Sequence, residues 1–370
     1  MSDIRRRWRE VVKKYRLHPR TPADDRYWCP ELETCSRQKL KDVQEEKLSV
    51  LVRYLYDCSP FYRAKFDRAK LRPSDIRSLD DILKIPVTNK QEMADDVQAN
   101  PPWGTYTPID DATWAKRGWM VFATSGSTGT PRPFRYTLHD RDQWAWNDAR
   151  VLWAQGLREG DSAFLASGYG PHVFFWGVHY GLNLMGIPVI SGGGMDTKRR
   201  AYMIDTFRPT VLGATPSYAL YLGHTMQQMG YDPRQSSIRI ILTGGEPGAC
   251  IPATKARIED LWKARLVEFY GCTEASPTPG GYTCREESEQ IERPMNLHLM
   301  EDLQIWEVLD PTTFEPLPLG QRGLTTVTNL FSEGSPQLRF LVGDYAVMRD
   351  TPCACGRTQI HAEGGFLGRE

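Results

Sequence analysis

The chain has 370 residues, which is too long for one ordinary core and long enough for two or three subdomains. Its 46 basic and 46 acidic side chains cancel, so the charge provides no electrostatic footprint for nucleic acid or an anionic membrane. Every apolar run is shorter than the roughly 20 residues of a membrane span, and the basic N-terminal residues lack an apolar signal core. We therefore predict a soluble cytoplasmic protein with no nucleic-acid or membrane partner.

Eight cysteines do not fit the disulfide framework of a short secreted domain, because the chain is long and shows no signal sequence. Metal binding and free thiols are the alternatives. The cysteines are Cys29, Cys35, Cys58, Cys250, Cys272, Cys284, Cys353 and Cys355.

The first hundred residues predict helices and connectors. Residues 1 to about 25 are charged and indicate a frayed helix followed by a connector. A helix is predicted over 36–58, where Ser36 can accept the first free backbone N–H groups and Pro60 prevents continuation. Shorter helical pieces are predicted at 79–83 and 91–97.

A loop rich in glycine and hydroxyl residues, Thr124 to Pro131, follows the apolar run 119–122. Its glycines allow the backbone to approach a ligand closely, and its N–H and hydroxyl groups can donate to phosphate oxygens. It lacks the Gly-Lys-Ser/Thr ending of the usual nucleotide loop. A flexible Ser/Gly connector is the alternative interpretation.

Strands and helices alternate between residues 163 and 270, which predicts an α/β fold with a mainly parallel sheet covered by helices. Ligands of such sheets bind at the carboxyl ends of the strands. Turns rich in glycine or hydroxyl groups are expected at three such ends, after Phe122, Leu242 and Tyr270. The predicted strands are 163–167, 187–190, 211–214, 238–242 and 266–270, and the predicted helices are 173–185, 198–207, 216–229 and 252–262.

The pattern changes from about Gly281, where short strands predict a smaller β subdomain. These strands are predicted at 304–309, 323–328 and 338–341. The chain is accordingly divided into a helical segment, an α/β core and the β subdomain, with bounds 1–105, 106–280 and 281–370.

Later turns carry groups that suit a nucleotide. The turn 243–248 is rich in glycine and leaves room for a flat group, although a plain strand-to-helix turn is the alternative. Tyr270 and Thr273 precede Glu274, and Mg²⁺ takes one or two carboxylates together with phosphate oxygens. The alternative for Glu274 is a carboxylate favoured at a helix N-terminus. Asp344 can accept both hydroxyls of a ribose, although Gly343-Asp344 is also the sequence of an ordinary turn.

The order of these motifs resembles that of adenylate-forming acyl-CoA synthetases, and their sequences are similar to those of the phenylacetate–CoA ligase family. The resemblance covers roughly residues 25 to 370. The motifs that carry it are Thr124 to Pro131, Gly244 to Pro247, Tyr270 to Glu274, Gly343-Asp344 and Gly368-Arg369, together with Tyr27 to Glu33, Leu51 to Tyr54, Ser59 to Arg63, Thr215 to Tyr218 and Cys353 to Thr358.

The resemblance implies a large adenylation domain and a two-step reaction. A carboxylate attacks the α-phosphate of ATP and releases pyrophosphate, and a thiol, usually that of coenzyme A, then takes the acyl group. Glu274 as the Mg²⁺ ligand, Thr273 and Arg369 are the implied catalytic residues. The implied ATP- and AMP-binding residues are Ser125, Gly126, Ser127, Thr128, Gly129 and Thr130 for pyrophosphate, Gly244, Gly245, Glu246, Pro247, Tyr270 and Gly271 around adenine, and Asp344 on the ribose.

The family continues past Gly368-Arg369 into a small C-terminal lid domain, which supplies a lysine for adenylation and a surface for the thiol step. This sequence stops at Glu370, so the lid domain is expected to be absent. Either the sequence is the large domain of a longer protein, which we favour, or the protein is naturally shortened. By itself the piece is expected to bind acid and nucleotide but to turn over poorly.

The expected acid pocket departs from the family within Tyr169 to Gly177. His172 takes the place of an aromatic residue, and Phe174 and Phe175 that of small ones. We hypothesise a short, flat aryl acid whose hydroxyl or amino group meets His172, because a hydrogen-bonding pocket rejects the unsubstituted acid. The alternative is that His172 points to solvent. The expected pocket residues are Tyr169, His172, Phe174, Ala214, Gly245 and Cys272.

A metal site is predicted in the β subdomain. Cys353 and Cys355 are one residue apart, and Cys284 and His298 precede them. Three cysteines and one histidine form a closed tetrahedral set for Zn²⁺, and some relatives show Cys and His at matching places. The expected zinc is structural and staples a subdomain with little core of its own. Free thiols are the alternative.

We therefore predict an aryl–CoA ligase that uses ATP, Mg²⁺, coenzyme A and structural zinc. The first alternative passes the acyl group to a carrier-protein thiol or an amine, and an alternative of another class is a non-catalytic zinc-containing interaction module. The expected partners are an aromatic carboxylic acid, ATP and coenzyme A or a carrier protein, with a homodimer as a candidate assembly.

Overall fold

The computed structural model describes residues 3–15, 21–124, 131–170, 173, 175–275 and 280–369. Eleven strands of the described chain form one sheet, and two more form a separate hairpin. The helices are α1 (Asp3–Lys14), α2 (Pro30–Glu33), α3 (Arg37–Cys58), α4 (Pro60–Arg68), α5 (Lys90–Ala99), α6 (Asp111–Arg117), α7 (Leu138–Ala154), α8 (Trp176–Leu184), α9 (Thr197–Phe207), α10 (Pro216–Gln228), α11 (Pro252–Trp262) and α12 (Arg285–Ser288). The strands are β1 (Gly118–Ala123), β2 (Pro133–Thr137), β3 (Ala163–Leu165), β4 (Val189–Ser191), β5 (Val211–Gly213), β6 (Ile240–Thr243), β7 (Arg265–Tyr270), β8 (Gly281–Tyr282), β9 (Leu297–Leu299), β10 (Gln304–Leu309), β11 (Arg322–Asn329), β12 (Phe340–Arg349) and β13 (His361–Ala362).

The large sheet has a parallel half and an antiparallel half. Its strand order is β10-β11-β12-β13-β9-β8-β7-β6-β5-β3-β4. The pairs from β4 to β7 are parallel, and the pairs from β7 to β10 are antiparallel. The prediction of strands alternating with helices between residues 163 and 270 is therefore confirmed.

The prediction of a mainly parallel sheet is wrong for the sheet as a whole, which is mixed. The connection from Tyr270 to Gly281 is too short for the helical crossover that a parallel neighbour requires, so β8 returns antiparallel to β7. The strands expected in a separate small subdomain thus extend the same sheet. Strands β8, β9 and β13 were not predicted, because two or three residues carry no detectable periodicity.

Sequence signals at the helix ends correspond to real caps. The Ser36 hydroxyl accepts the backbone N–H of Lys39 at 3.2 Å, and α3 ends just before Pro60 as expected. The Thr215 hydroxyl accepts the N–H of Tyr218 at 3.4 Å at the start of α10. Each cap fixes where a helix leaves the preceding strand or loop.

Helix α7 was not predicted from the sequence. Its amino end is a capping box between Thr137 and Asp140. Most of its residues are buried, including the tryptophans Trp144 and Trp146. A helix that is enclosed on most sides has no polar stripe, so the 3.6-residue pattern that identifies a surface helix is missing.

The first and last parts of the chain are joined by buried ion pairs. Arg357 donates to the Glu33 carboxylate at 2.7 Å, and both side chains are about 1% exposed. The Tyr27 hydroxyl donates to the carbonyl oxygen of Cys355 at 2.7 Å. Two motifs that lie more than 300 residues apart therefore form one contact, which holds the loop of Cys353 and Cys355 in place.

Among the described residues, no helix combines the length and the apolar composition that crossing a membrane would require.

Candidate active site

Polar turns follow three neighbouring strands at one edge of the sheet. Because β5, β6 and β7 are parallel, Ala214, the turn 243–248 and the turn after Tyr270 come together at their carboxyl ends. The Glu246 carboxylate accepts the backbone N–H of Ser217 at 2.6 Å, which ties the turn after β6 to the start of α10. The turns after Leu242 and Tyr270, two of the three that were expected to meet, therefore lie side by side.

Glycine is needed in the turn after β6. Gly244 is buried, whereas Gly245 and Pro247 are exposed, and Gly245 adopts the left-handed region with φ +85°. A side chain at Gly248 would meet the Pro216 ring at 2.5 Å. The turn can approach α10 only because its backbone carries no side chains at these positions.

The glycine- and hydroxyl-rich loop is presented differently from the prediction. Strand β1, which precedes it, pairs only with β2 in an antiparallel hairpin and is not part of the parallel sheet. The predicted phosphate-binding residues Ser125, Gly126, Ser127, Thr128, Gly129 and Thr130 lie outside the described residues. Their flanks are joined, because the N–H of Thr124 donates to the Arg132 carbonyl at 3.2 Å.

Arg132 connects this hairpin to the turn after β7. Its Nη2 donates to Oε1 of Glu274 at 2.6 Å, and both side chains are largely buried. The Tyr136 hydroxyl donates to the Thr273 carbonyl at 3.1 Å. The predicted magnesium ligand thus pairs with Arg132, which follows the predicted phosphate loop in the sequence.

A second cluster joins β7, β12 and the end of the described chain. The Tyr270 hydroxyl donates to Oδ2 of Asp344 at 2.5 Å, and Arg369 Nε donates to Oδ1 at 2.8 Å. The Phe366 ring stacks on Tyr270 with a centroid distance of 3.4 Å. Asp344 therefore has two partners from separate segments, and one face of Tyr270 is covered.

Cys272 lies between Tyr270 and Glu274 in the sequence. Burial raises the pKa of its thiol, and the negative charges of Glu274 and Asp344 raise it further, whereas Lys90 lowers it. The thiol is therefore within electrostatic range of both the carboxylate expected to bind magnesium and the carboxylate expected to bind ribose.

The expected acid pocket is only partly described. Tyr169 follows β3; its hydroxyl lies 3.1 Å from Nδ1 of His179, and its ring packs edge-on against Trp176 at 4.9 Å. Burial raises the pKa of Tyr169 to about 12. His172 and Phe174 lie outside the described residues, so the hypothesis that His172 meets the acid stays a prediction.

Sequence reasoning missed two cations and one ring at this edge. Arg132 follows the loop directly, but a single arginine after a proline carries no distinctive pattern. Lys90 comes from α5 and donates to the Val342 carbonyl at 2.9 Å, close to Asp344. Phe366 lies two residues before Gly368. Their positions depend on the packing of segments far apart in sequence.

Glu268, two residues before Tyr270 in β7, is buried beneath the turn after β6. Its carboxylate accepts the N–H of Cys250 at 2.6 Å. Burial raises its pKa from near 4.5 to about 7, against the opposite effect of contacts with Cys250. The folded protein therefore holds this proton more tightly than the unfolded chain does.

We expect Glu268→Gln to remove a pH-dependent loss of stability. Because the pKa of Glu268 is higher in the folded state than in the unfolded chain, protonated Glu268 stabilises the fold. This stabilisation is fully present below pH 4.5 and is lost as the pH rises to about 7. Above that window the loss is about 3 kcal/mol. Urea unfolding should show the variant more stable than wild type at pH 8 by roughly that amount, and nearly equal at pH 4.5. An equal difference at both pH values would contradict this assignment.

A cluster of three cysteines and one histidine lies near the carboxyl end of β8 and includes a residue of β9. The ligand atoms of Cys284, His298, Cys353 and Cys355 all lie within 4.8 Å of one another. Sγ of Cys284 is 3.7 Å from Sγ of Cys353, and Sγ of Cys355 is 3.5 Å from Nε2 of His298. All but Cys353 are buried.

These distances fit a tetrahedral zinc ion. Zn–S bonds of about 2.3 Å and Zn–N bonds of about 2.0–2.1 Å place two sulfurs about 3.8 Å apart and sulfur about 3.5 Å from nitrogen. The backbone N–H groups of Glu287 and Arg357 each point at a sulfur at 3.4 Å, as expected around thiolates. The donor set that the sequence predicted is therefore brought together.

Comparison with known proteins identifies the family. Residues 34–328 match the family model described as AMP-binding enzyme. The chain is 35% identical over 341 residues to the phenylacetate–coenzyme A ligase of Thermus thermophilus, covering 92% of this chain and 72% of that protein. It is 32% identical over 315 residues to the Escherichia coli phenylacetate–coenzyme A ligase, covering 85% and 68%.

A solved structure shows the same fold. The 2-hydroxyisobutyryl-CoA ligase, in complex with its acyl-adenylate and CoA, superposes with a TM-score of 0.88 at 28% identity, covering 95% of this chain and 73% of that one. Together with the sequence relatives, this match confirms the predicted family. The chain belongs to the AMP-binding enzymes and, within them, to the family of phenylacetate–coenzyme A ligases, which are acid–thiol ligases.

Proposed function

We propose that this protein activates an aryl carboxylic acid with ATP and transfers the acyl group to coenzyme A. In the first step a carboxylate oxygen bonds to the α-phosphorus of ATP, and the bond to the bridging oxygen breaks to release pyrophosphate. In the second step a thiol sulfur bonds to the acyl carbon, and AMP leaves. The observation that supports this most is the hydrogen bond between Tyr270 and Asp344 at the sheet edge where the turn that carries Glu274 begins.

The phosphate end of the site is assigned to Glu274 and its neighbours. Mg²⁺ would bind Glu274 and phosphate oxygens, and it would stabilise the charge that develops on the departing pyrophosphate. Arg132 lies 2.6 Å from Glu274 and adds a second positive charge. Thr273, with the loop 125–130, would donate hydrogen bonds to the same oxygens. In this assignment the chain holds hydrogen-bond donors in place before negative charge develops on the departing pyrophosphate.

The nucleoside end is assigned to Asp344, Tyr270 and the turn 244–247, with Gly271 beside them. Asp344 would accept the ribose hydroxyls, and Arg369, which already pairs with it, would lie beside the ribose or phosphate. Adenine would pack between the glycine turn and the Tyr270 ring, on the face that Phe366 leaves open.

We expect Asp344→Asn to weaken ATP binding more than it slows chemistry. The neutral amide loses charge-assisted hydrogen bonds to the ribose, which corresponds to roughly a 10- to 100-fold rise in the KM for ATP. Pyrophosphate release measured against ATP concentration checks this. Asp350→Asn, an exposed acid six residues away, is the control and should leave KM unchanged. An unaltered KM in Asp344→Asn would argue against the ribose assignment.

A finer proposal concerns which acid is bound and which thiol accepts the acyl group. An aryl acid with a hydroxyl or amino group would occupy the space beside Tyr169, Ala214, Gly245 and Cys272, with His172 as its partner. Thermal shift with ATP, Mg²⁺ and a panel of substituted and plain aryl acids tests binding, since cooperative stabilisation requires one shared site. Mass spectrometry for acyl-adenylate and, with added coenzyme A, for acyl-CoA tests the two steps. Failure of every aryl acid in both assays would refute the proposal.

We further propose a structural Zn²⁺ held by Cys284, His298, Cys353 and Cys355. The closed set of four leaves no position for substrate, so the ion would fasten the loop 353–355 to β8 and β9 rather than take part in the reaction. We also propose the division of the chain into segments 1–105, 106–280 and 281–370, and a cytoplasmic location.

A further inference from the structure

A cleft lies at the opposite edge of the parallel sheet from the candidate active site. Arg265 is the first residue of β7, and Arg239 and Thr210 directly precede β6 and β5. These residues line a cavity of about 640 Å³ together with Arg158 and Arg285, and with the acidic side chains Glu159, Asp161 and Glu289. This volume lies within the range of small-molecule sites.

Two of its four arginines are already paired with carboxylates. Arg239 Nε donates to Oδ1 of the buried Asp161 at 2.8 Å. Arg285 Nε donates to Oε1 of Glu289 at 3.0 Å. The Arg239 pair involves a buried carboxylate, whereas the Arg285 pair is exposed and offsets its charge only in part.

Arg158 and Arg265 have neutral partners only, within the ranges that the structure covers. Arg265 Nη2 donates to the Gln155 carbonyl at 2.8 Å, and Nη1 donates to the Ser288 hydroxyl at 3.2 Å. Arg158 Nη2 donates to the Asp25 carbonyl at 2.7 Å, and its Nη1 donates to the carbonyls of Trp153 and Leu157 at 2.9 and 2.6 Å, which leaves Nε and one Nη2 hydrogen for a ligand. Neither forms an ion pair with a carboxylate in this part of the chain, and each guanidinium has five N–H donors.

The arginines are close enough to oppose one another. Burial lowers the pKa of Arg265, and Arg285, Arg239 and Arg158 lower it further, whereas Glu289 acts in the opposite direction. Burial also lowers the pKa of Arg158; Asp25 and Asp161 oppose this effect, and Arg285 and Arg239 add to it. Half-buried like charges of this kind are relieved by an anion placed between them.

We propose that this cleft binds a small phosphate-bearing anion between Arg158 and Arg265, with Arg285 at its exposed side. Guanidinium groups match phosphate oxygens with paired hydrogen bonds, and partial burial strengthens the attraction. The site is separate from the candidate active site, because Arg265 and Tyr270 are at opposite ends of β7, about 16 Å apart along the strand. It therefore does not depend on the proposed ligase reaction.

The test measures binding rather than catalysis. Thermal shift and isothermal titration calorimetry are run with inorganic phosphate at constant ionic strength, with AMP present to occupy the nucleotide site. A tenfold excess over the dissociation constant should raise the Tm of the wild-type chain by about 2 °C. The same titration with chloride should not.

Variants locate the binding. Arg265→Gln should weaken phosphate binding at least about tenfold, as the loss of a charge-assisted hydrogen bond predicts. Arg285→Gln, at an exposed position where folding is not at risk, should weaken it severalfold. Arg199→Gln is the matched control, because it removes one exposed arginine outside the cleft.

Further arms identify the source of the phosphate. Pyrophosphate and adenosine 3′,5′-bisphosphate are titrated in the same way; tighter binding of the first indicates an inorganic anion, and of the second a nucleotide. Either ranking supports the site, provided that Arg265→Gln or Arg285→Gln weakens it. No phosphate binding in the wild type, or equal binding in both cleft variants and Arg199→Gln, overturns the proposal.

Discussion

Replacement of Glu274 by glutamine is expected to reduce adenylation by roughly 10²–10³-fold. The amide keeps the shape of the side chain and can still accept a hydrogen bond from Arg132, 2.6 Å away. It is a far weaker magnesium ligand than a carboxylate, so charge on the departing pyrophosphate loses its stabilisation. Pyrophosphate release from ATP and an aryl acid, with the wild-type chain as reference, measures the effect.

A matched control separates this effect from the loss of a buried ion pair. Glu307 pairs with Arg339 at 2.8 Å, with side-chain exposures of 10% and 5%, close to the 7% and 12% of Glu274 and Arg132. Glu307→Gln is the control variant. Breaking a buried pair destabilises the fold in both Glu307→Gln and Glu274→Gln. Only Glu274→Gln should lose adenylation after both proteins are shown to be folded. Near-normal pyrophosphate release in Glu274→Gln would remove this residue from the proposed chemistry.

Loss of the proposed zinc site is expected to have the largest effect on stability. Purification without chelator should yield one zinc per chain by metal analysis, and Cys355→Ser should abolish it. Because zinc binding contributes directly to folding, we expect the free energy of unfolding to fall by at least about 4 kcal/mol. Urea unfolding measures the change.

Another cysteine supplies the comparison. Cys35, half-buried, lies with its sulfur 3.6 Å from the Leu32 carbonyl and outside the cluster. Cys35→Ser should keep the zinc and change stability by less than about 1 kcal/mol. A wild-type chain that carries no zinc, or Cys355→Ser as stable as Cys35→Ser, would show that the three cysteines of the cluster are free thiols.

Local patterns were sufficient for much of the fold. The strands between 163 and 270 and helices such as α10 and α11 were predicted because caps, prolines and alternating hydrophobicity act within a few residues. Helix α7 was missed because burial on most sides removes that periodicity. Strands β10 and β11 were predicted, but their place in the same sheet as the parallel strands was missed, because strand pairing between distant segments has no local signature.

Some residues of the candidate site could likewise be predicted from the sequence, and others could not. Glu274, Tyr270 and Asp344 stand out in sequence because each belongs to a short motif with a recognisable neighbour. Arg132 and Phe366 do not, since their importance comes from the partners that folding places against them.

By itself the sequence determined the family, the order of the motifs and the four candidate zinc ligands. Only the tertiary structure decided that Arg132 pairs with Glu274, that Asp344 is shared by Tyr270 and Arg369, and that an arginine cleft lies at the far end of β7. The physical reason is the separation along the chain over which each kind of interaction acts. Backbone propensity and capping act over a few residues, whereas charge and hydrogen bonding act between whichever groups packing brings within a few ångströms.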